Sequence, residues 1–519
     1  MGIVEQHLRR VGRRAAMPAL LALAMAGCAA NAVKLASGSA SEPWAPSDAM
    51  TTSSLLPAAD AETPQPTGPA NYVVPANPAA SLLQPPPQIV ADRSYDLPAL
   101  IDIAARNNPQ TRIAWEEARQ AALAVGMVEA TFLPSISANV IAGAQRVRTP
   151  LPDNATGRSS FSTTAEAVVP ALVLEWLVFD FGQRRANADL ARHNAFAANI
   201  AFNGMHQRVI YNVAVAYYRY GATESQERAA RRTLANSRRI ADAADARMAR
   251  GIGTSVEVAQ ARQMVAQAKL RLVEAEGARR DAYQGLLGAM GVSPTTKVKV
   301  SDVSARRLPR RLGEPTVKMI EEALAQRPDV LAAYSRFQAS EAGIRAAEAS
   351  FRPKIYLSAI AASDKASLSV SGLPGLGQQS TSAGVLVGIT VPIYSGGLRA
   401  AQLQEARSLS NAAREAFVET QDAAAREIVI ASDTLRTALA AHAAASELTA
   451  AAGVTYDAAL KSYQSGVGTI TDATIANSGL LDARVAEADA HAAALVAAST
   501  LGFALGAMTS RDAPAKLSR

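Results

Sequence analysis

The chain has 519 residues, 49% hydrophobic and only 5% aromatic, with one cysteine and a formal net charge of +7. The length allows several cores, the single cysteine excludes an intrachain disulfide, and alanine in place of aromatics suits close-packed helices better than a bulky interior. Arg9, Arg10, Arg13 and Arg14 against Glu5 account for three of the positive charges, and the remaining +4 is too dispersed for a nucleic-acid surface.

Those arginines open a secretory signal. An apolar run over residues 15–26 follows, then Met25-Ala26-Gly27-Cys28. The run is too short for a membrane span, and a cysteine directly after small residues is the pattern of a bacterial lipoprotein. Residues 1–27 therefore read as the signal peptide and Cys28 as the lipid carrier, with ordinary cleavage after Ala24-Met25-Ala26 as the alternative. That lipid is the only attached group expected; no cofactor is. Residues 28–92 carry Pro43, Pro46, Pro57, Pro64, Pro66, Pro69 and Pro85-Pro86-Pro87. Such a composition builds no core and reads as an extended tether, able to reach ~200 Å.

From residue 93 the chain is a tandem repeat: 93–300, a linker at 301–316, a second copy at 317–509, and a tail at 510–519. Asn108-Pro109 to Pro134 matches Arg327-Pro328 to Pro353 at an offset of 219. Phe179-Asp180-Phe181-Gly182 answers Tyr394-Ser395-Gly396-Gly397 at 215, and Leu287-Gly288-Ala289-Met290 answers Leu505-Gly506-Ala507-Met508 at 218. A period this long marks a duplicated half-domain, unlike a solenoid unit.

Each half has one order of elements. One helix is predicted over residues 97–130 and its counterpart over 317–350, each ended by Phe-x-Pro. Strand-like segments of about ten residues follow. Ile136, Ala138, Val140, Ala142 and Ala144 alternate with Ser135, Ser137, Asn139, Gly143 and Gln145, with Ile141 as the lapse. Val385, Val387, Ile389, Val391 and Ile393 form the last such series, and polar loops at 149–160 and 369–382 separate the strands of each pair. Helices over about 183–250 and 398–464 come next, each ~100 Å long. Behind the first, Val258, Ala261, Val265, Ala268, Leu272, Ala275, Ala282 and Leu286 fall on coiled-coil seam positions, with Arg279 the one intruder.

The long helices end in a motif that occurs twice, Gly251-Ile252-Gly253-Thr254 and Gly466-Val467-Gly468-Thr469. The first glycine of each permits the left-handed stop, and the threonine can cap the next helix with Glu257 or Asp472 at its third position. Each copy reads as the tip of a helical hairpin. His7, His193, His206, His442 and His491 never stand at metal-ligand spacing, no P-loop is present, and Gly-x-Ser-x-Gly is missing. The pattern carries no enzyme chemistry.

Lipoprotein signal, proline-rich tether, and two copies of helix, strand pair, long helix, Gly-rich tip and helix resemble the TolC family of outer-membrane channel proteins, over residues 93–509. The resemblance implies an α+β membrane protein: a homotrimer whose 12-stranded β-barrel, four strands per chain, stands in outer-membrane lipid and continues as a long α-helical coiled-coil barrel through the periplasm. Four strands alone cannot close, and an open edge cannot persist in lipid. It further implies an exit duct for small molecules in a tripartite export system, served by a periplasmic adaptor on the tips (Gly251, Gly253, Thr254, Gly466, Gly468, Thr469) and by an inner-membrane RND or ABC transporter. Type I protein secretion, or a purely structural periplasmic coiled coil, are the alternatives. Some relatives ring the closed aperture with two aspartates. Asp472 matches the first, Ile475 stands at the second, and Gly468 replaces a tip arginine. Asp472 and Glu257 are thus the aperture candidates, and Asp472 equally reads as a plain cap.

Overall fold

A computed structural model describes residues 80–83, 85, 87, 89–90, 93–150, 160–303, 306, 308, 313–370 and 376–509. The signal, Cys28, most of the expected tether and the whole of the tail (510–519) lie outside the described residues. The chain divides into two compact units at Gln84/Pro85, and every element below belongs to the second.

After the two-residue strand β1 (Ser94–Tyr95), the single helix expected over 97–130 is two, α1 (Leu97–Asn107) and α2 (Pro109–Ala130). Asn108, preceding a proline, is held extended at φ −67°, ψ 123°, and its side chain caps α2 by accepting from Gln110 N–H at 2.9 Å. The second repeat breaks at the matching place: α5 (Val317–Leu324) and α6 (Pro328–Ala349) flank Arg327, at φ −70°, ψ 126°. The Asn-Pro and Arg-Pro pairs carried that signal. Ile89 packs on the core and Val90 N–H donates to Tyr95 Oη at 3.0 Å, so packed structure starts ahead of residue 93.

Four strands follow: β2 (Ser135–Pro150), β3 (Ser160–Phe179), β5 (Lys354–Val370) and β6 (Leu376–Thr390), one antiparallel sheet in the order β2-β3-β5-β6. They run 15 to 20 residues, longer than the ten expected, and take in much of the predicted loop 369–382 and the two ends of the predicted loop 149–160. At the other end β6 stops short of the expected Val391 and Ile393. Its last partner is Lys354, which directly follows Pro353, so the ladder has nothing to pair with beyond Thr390. A small parallel pair, β1 with β4 (Lys299–Val300), was not foreseen.

The long helices are α3 (Gln183–Ala249, 67 residues) and α7 (Leu398–Ser465, 68 residues), returning as α4 (Ser255–Met290) and α8 (Ile470–Ala504). At 1.5 Å per residue each long helix spans ~100 Å. The seam positions predicted on α4 are all buried or half-buried. Arg279 does not break the seam, because its guanidinium bonds to Glu227 of α3, which also accepts from Arg231 at 2.8 Å. Burial pushes the Glu227 carboxyl up, but Arg231 and Arg279 outweigh it and leave the group below its ordinary value.

Three apolar clusters bind these rods. One joins α1, α3 and the end of α4 around Leu100, Val213, Tyr218 and Met290. A second lies next to the tips around Ile240, Val258, Tyr463 and Leu480, and a third joins α7 and α8 around Ile428, Leu435 and Leu501.

Candidate functional site: the sheet and the paired tips

Residues opposite each other in a ladder share a face, so the register sorts the sheet. One face carries the rows Ile136–Leu174–Ala359–Val385 and Ala138–Leu172–Ala361–Ala383, and below them Trp176–Leu357–Val387 and Ile355–Ile389. The other carries Ser135–Glu175–Ser358–Leu386 and Asn139–Ala171–Ala362–Ser382. The lapse at Ile141 faces Val169, and the row Ser137–Val173–Ile360–Gly384, with Leu386, places further apolar side chains on this second face. Farther along, the apolar face turns polar at Val168–Lys365–Gln379 and Glu166–Ser367–Gly377. From the Ile355 row to the Lys365 row the strand rises ~33 Å, or about 25 Å once tilted as barrel strands are, the height of a hydrocarbon band. Trp176 stands at its lower margin with Nε1–H on Phe132 O at 2.8 Å, as an interfacial aromatic does.

The corner from β3 into α3 is locked by a buried pair that sequence reasoning passed over. Asp180 Oδ2 accepts from Arg184 N–H at 2.8 Å and Nε–H at 3.0 Å, while Arg184 Nη1 donates to Thr131 O at 2.8 Å. Phe181, at φ +53°, and Gly182, at φ +93°, make the bend.

At the far end of the rods the tips are built as the sequence predicts. Gly251 and Gly466 adopt φ +75° and +87°. Gly253 and Gly468 are glycine for a different reason: a Cβ would stand 2.8 Å from Met248 N and 2.9 Å from Ser462 Cβ. In this turn Gly468 leaves no room for the arginine of the resembling channels. Thr254 with Glu257 and Thr469 with Asp472 both form complete capping boxes, each threonine oxygen 3.2 Å from the backbone N–H it accepts from. Asp472 also accepts from Thr469 Oγ1–H at 2.7 Å. The Asp472 carboxylate thus caps its helix, and it is exposed beside an exposed Ile475.

A residue outside those motifs joins the two tips. Arg247, in the last turn of α3, stacks on the Tyr463 ring at 5.1 Å, donates from Nη1 to Tyr463 O at 3.1 Å, and from Nη2 to Ile252 O at 3.3 Å. The Tyr463 phenol is buried; that burial, with Glu257 nearby, raises its pKa, and Arg247 opposes the shift. Tyr463 is 216 positions from Arg247, so no local pattern announces the contact.

Among the described residues no helix is long and apolar enough to cross a membrane, and no group of His, Cys, Asp and Glu could hold a metal ion. A sheet with one continuous apolar face and one face that gathers the polar side chains, carried on rods of ~100 Å, defines an outer-membrane channel protein. The chain matches the outer membrane efflux protein family over residues 100–292 and 319–507, and it belongs to that family. Protein CyaE of Bordetella pertussis is 28% identical over 412 residues, 79% of this chain and 83% of that protein. Outer membrane efflux protein BepC of Brucella suis is 28% identical over 336 residues, 65% of this chain and 71% of its own. Among solved structures, the Campylobacter jejuni CmeC outer membrane channel superposes with a TM-score of 0.66 at 18% identity, covering 81% of this chain and 88% of that one.

Proposed function

We propose that the chain is the outer-membrane exit duct of a tripartite export system, working as a homotrimer that carries small molecules. The observation behind this is the sheet itself: β2 and β6 are both edges, and one face is a lipid-height apolar band. Three chains supply twelve strands and close the barrel, removing every edge. The polar face, with Ser135, Asn139 and Glu175, lines the lumen. The family's own description, outer membrane efflux protein, supports the efflux reading over protein secretion.

The duct does no chemistry; its energy comes from an inner-membrane RND or ABC transporter through a periplasmic adaptor. The tips are the docking surface for that adaptor, because they are exposed, rigidly capped and farthest from the sheet. Cys28 carries a lipid that adds a second tether to the same membrane. The mass of the mature N-terminus tests this last point, and an unmodified terminus beyond residue 28 removes it.

Export itself is tested at the tips. Replacing Gly251 and Gly466 together with valine penalises each left-handed turn by ~1–2 kcal/mol, small against trimer packing. The double variant should assemble, yet lose small-molecule export and tip-to-adaptor cross-links. Normal export by an assembled double variant would place docking elsewhere.

A further inference from the structure

Between the two repeats, α3, α7, α8 and the linker line a half-open cavity of about 1360 Å³. The linker forms its edge where Val303 presses on α3 at Gly221, close enough that a Cβ there would stand 2.7 Å from the Val303 side chain. Its wall is strongly basic. Arg228, Arg232, Arg306 and Arg484 line it against one carboxylate, Glu487.

The partners of these groups decide what the cavity can hold. Arg228 is engaged with Glu224 at 3.7 Å and Asp302 at 3.4 Å, and the Arg306 guanidinium lies over the Tyr218 ring at 5.9 Å. Glu487 already accepts from Ser446 Oγ–H at 3.1 Å. Arg484 Nη1 is buried with no hydrogen-bond partner, and the exposed Arg232 of α3 forms no ion pair among the described residues. Burial first, and then the like charge of Arg232, disfavour the charged form of Arg484. Guanidinium stays protonated in proteins, so the site holds two neighbouring positive forks with unused donors. Carboxylate and phosphate groups are the chemical match for such forks.

We propose that this inter-repeat cavity binds an oxyanion with at least two carboxylate or phosphate groups, held between Arg232 of the first repeat and Arg484 of the second. Bound there, the anion braces α3 against α8 beside the linker. The same chemistry is available from a small free polyanion and from a carboxylate-bearing polymer.

The test uses the full-length detergent-solubilised trimer, with citrate and inorganic pyrophosphate as small probes, poly-glutamate as the polymer, and sodium chloride at matched ionic strength as control. Calorimetric titration should show saturable binding of at least one probe and none of chloride. Citrate or pyrophosphate alone identifies a free polyanion; poly-glutamate alone identifies the polymer. R232Q should weaken binding tenfold or more, and E487Q should tighten it, a gain that a merely structural Glu487 would not produce. R484Q, even if it binds nothing, should unfold no earlier than wild type without probe, because it removes a half-buried guanidinium whose buried Nη1 has no hydrogen-bond partner. Binding that is indistinguishable from chloride, or unchanged by R232Q and E487Q, overturns the proposal.

Discussion

The Arg247 guanidinium makes three contacts at once: a ring face and a carbonyl on the second tip, and a carbonyl on its own. Replacing it with alanine removes a stacked cation and two charge-assisted hydrogen bonds, a loss of ~1–3 kcal/mol at the tips. Hydrogen exchange should quicken at residues 466–469 in R247A and only partly so in R247K, which keeps the charge but lacks the fork. Equal protection in wild type and R247A would show that the tips hold independently. His442 offers a second residue-scale test. Burial, and then His491 at 5.2 Å, lower its pKa from the ordinary 6.5, with Glu487 opposing. The unfolded chain therefore takes up the proton more readily than the folded one, and stability falls as pH drops through about 6.5. Denaturant midpoints between pH 7.5 and 5 should decline more for wild type than for H442Q. At this scale the sequence showed what is local. Thr254 with Glu257 and Thr469 with Asp472 sit within one turn and were legible, whereas Arg247 with Tyr463 and the His442–His491 pair depend on packing between distant segments.

Among the elements, the sheet carries the sharpest expectation, because its two faces answer to different solvents. Rows run from Ile389 at the base to Gln379 at the polar margin, which puts Val385 and Ala383 nearest the middle of the apolar band. V385R should cost ~2–4 kcal/mol, and I389R, near the interface, ~0–1 kcal/mol. S382R, one strand position from the middle but on the opposite face, should be tolerated. Refolding into lipid vesicles with chemical denaturation measures all three, and equal costs for V385R and S382R would invert the face assignment. The alternation of Val385, Val387 and Ile389 was readable from sequence because period two survives without neighbours. The strand ends were not. Leu376–Ser382 reads as a polar loop until Leu368–Ala362 lies beside it, and Val391 and Ile393 read as strand until Pro353 ends their partner. The long helices were legible almost to the residue because their stops are chemical, at Gly251 and Gly466. The break at Asn108 was missed although the Asn-Pro step that causes it was noted as a repeat marker.

For the whole molecule the decisive question is where β2 and β6 find partners. Within one chain they are separated by β3 and β5, three strand spacings or ~14 Å apart, far beyond the ~7 Å that a disulfide can bridge between Cα atoms. Any disulfide between a cysteine on β2 and one on β6 must therefore join two chains. The direction of the strands permits this: β2 and β6 run opposite ways, so β6 of one chain can extend the antiparallel ladder onto β2 of the next. With Cys28 replaced by alanine, cysteines placed at Ser137, Asn139 or Ile141 should be combined singly with cysteines at Ser380, Ser382 or Gly384, all on the inferred lumen face. At least one combination should oxidise in membranes, and the product should be a covalent trimer of closed form, since each chain offers one donor edge and one acceptor edge. Moving either cysteine by one residue turns it to the lipid face and should abolish the bond. Dimers that never proceed to trimers, or monomers that oxidise internally, would mean that the sheet closes in some other way and that the duct is not built from three chains.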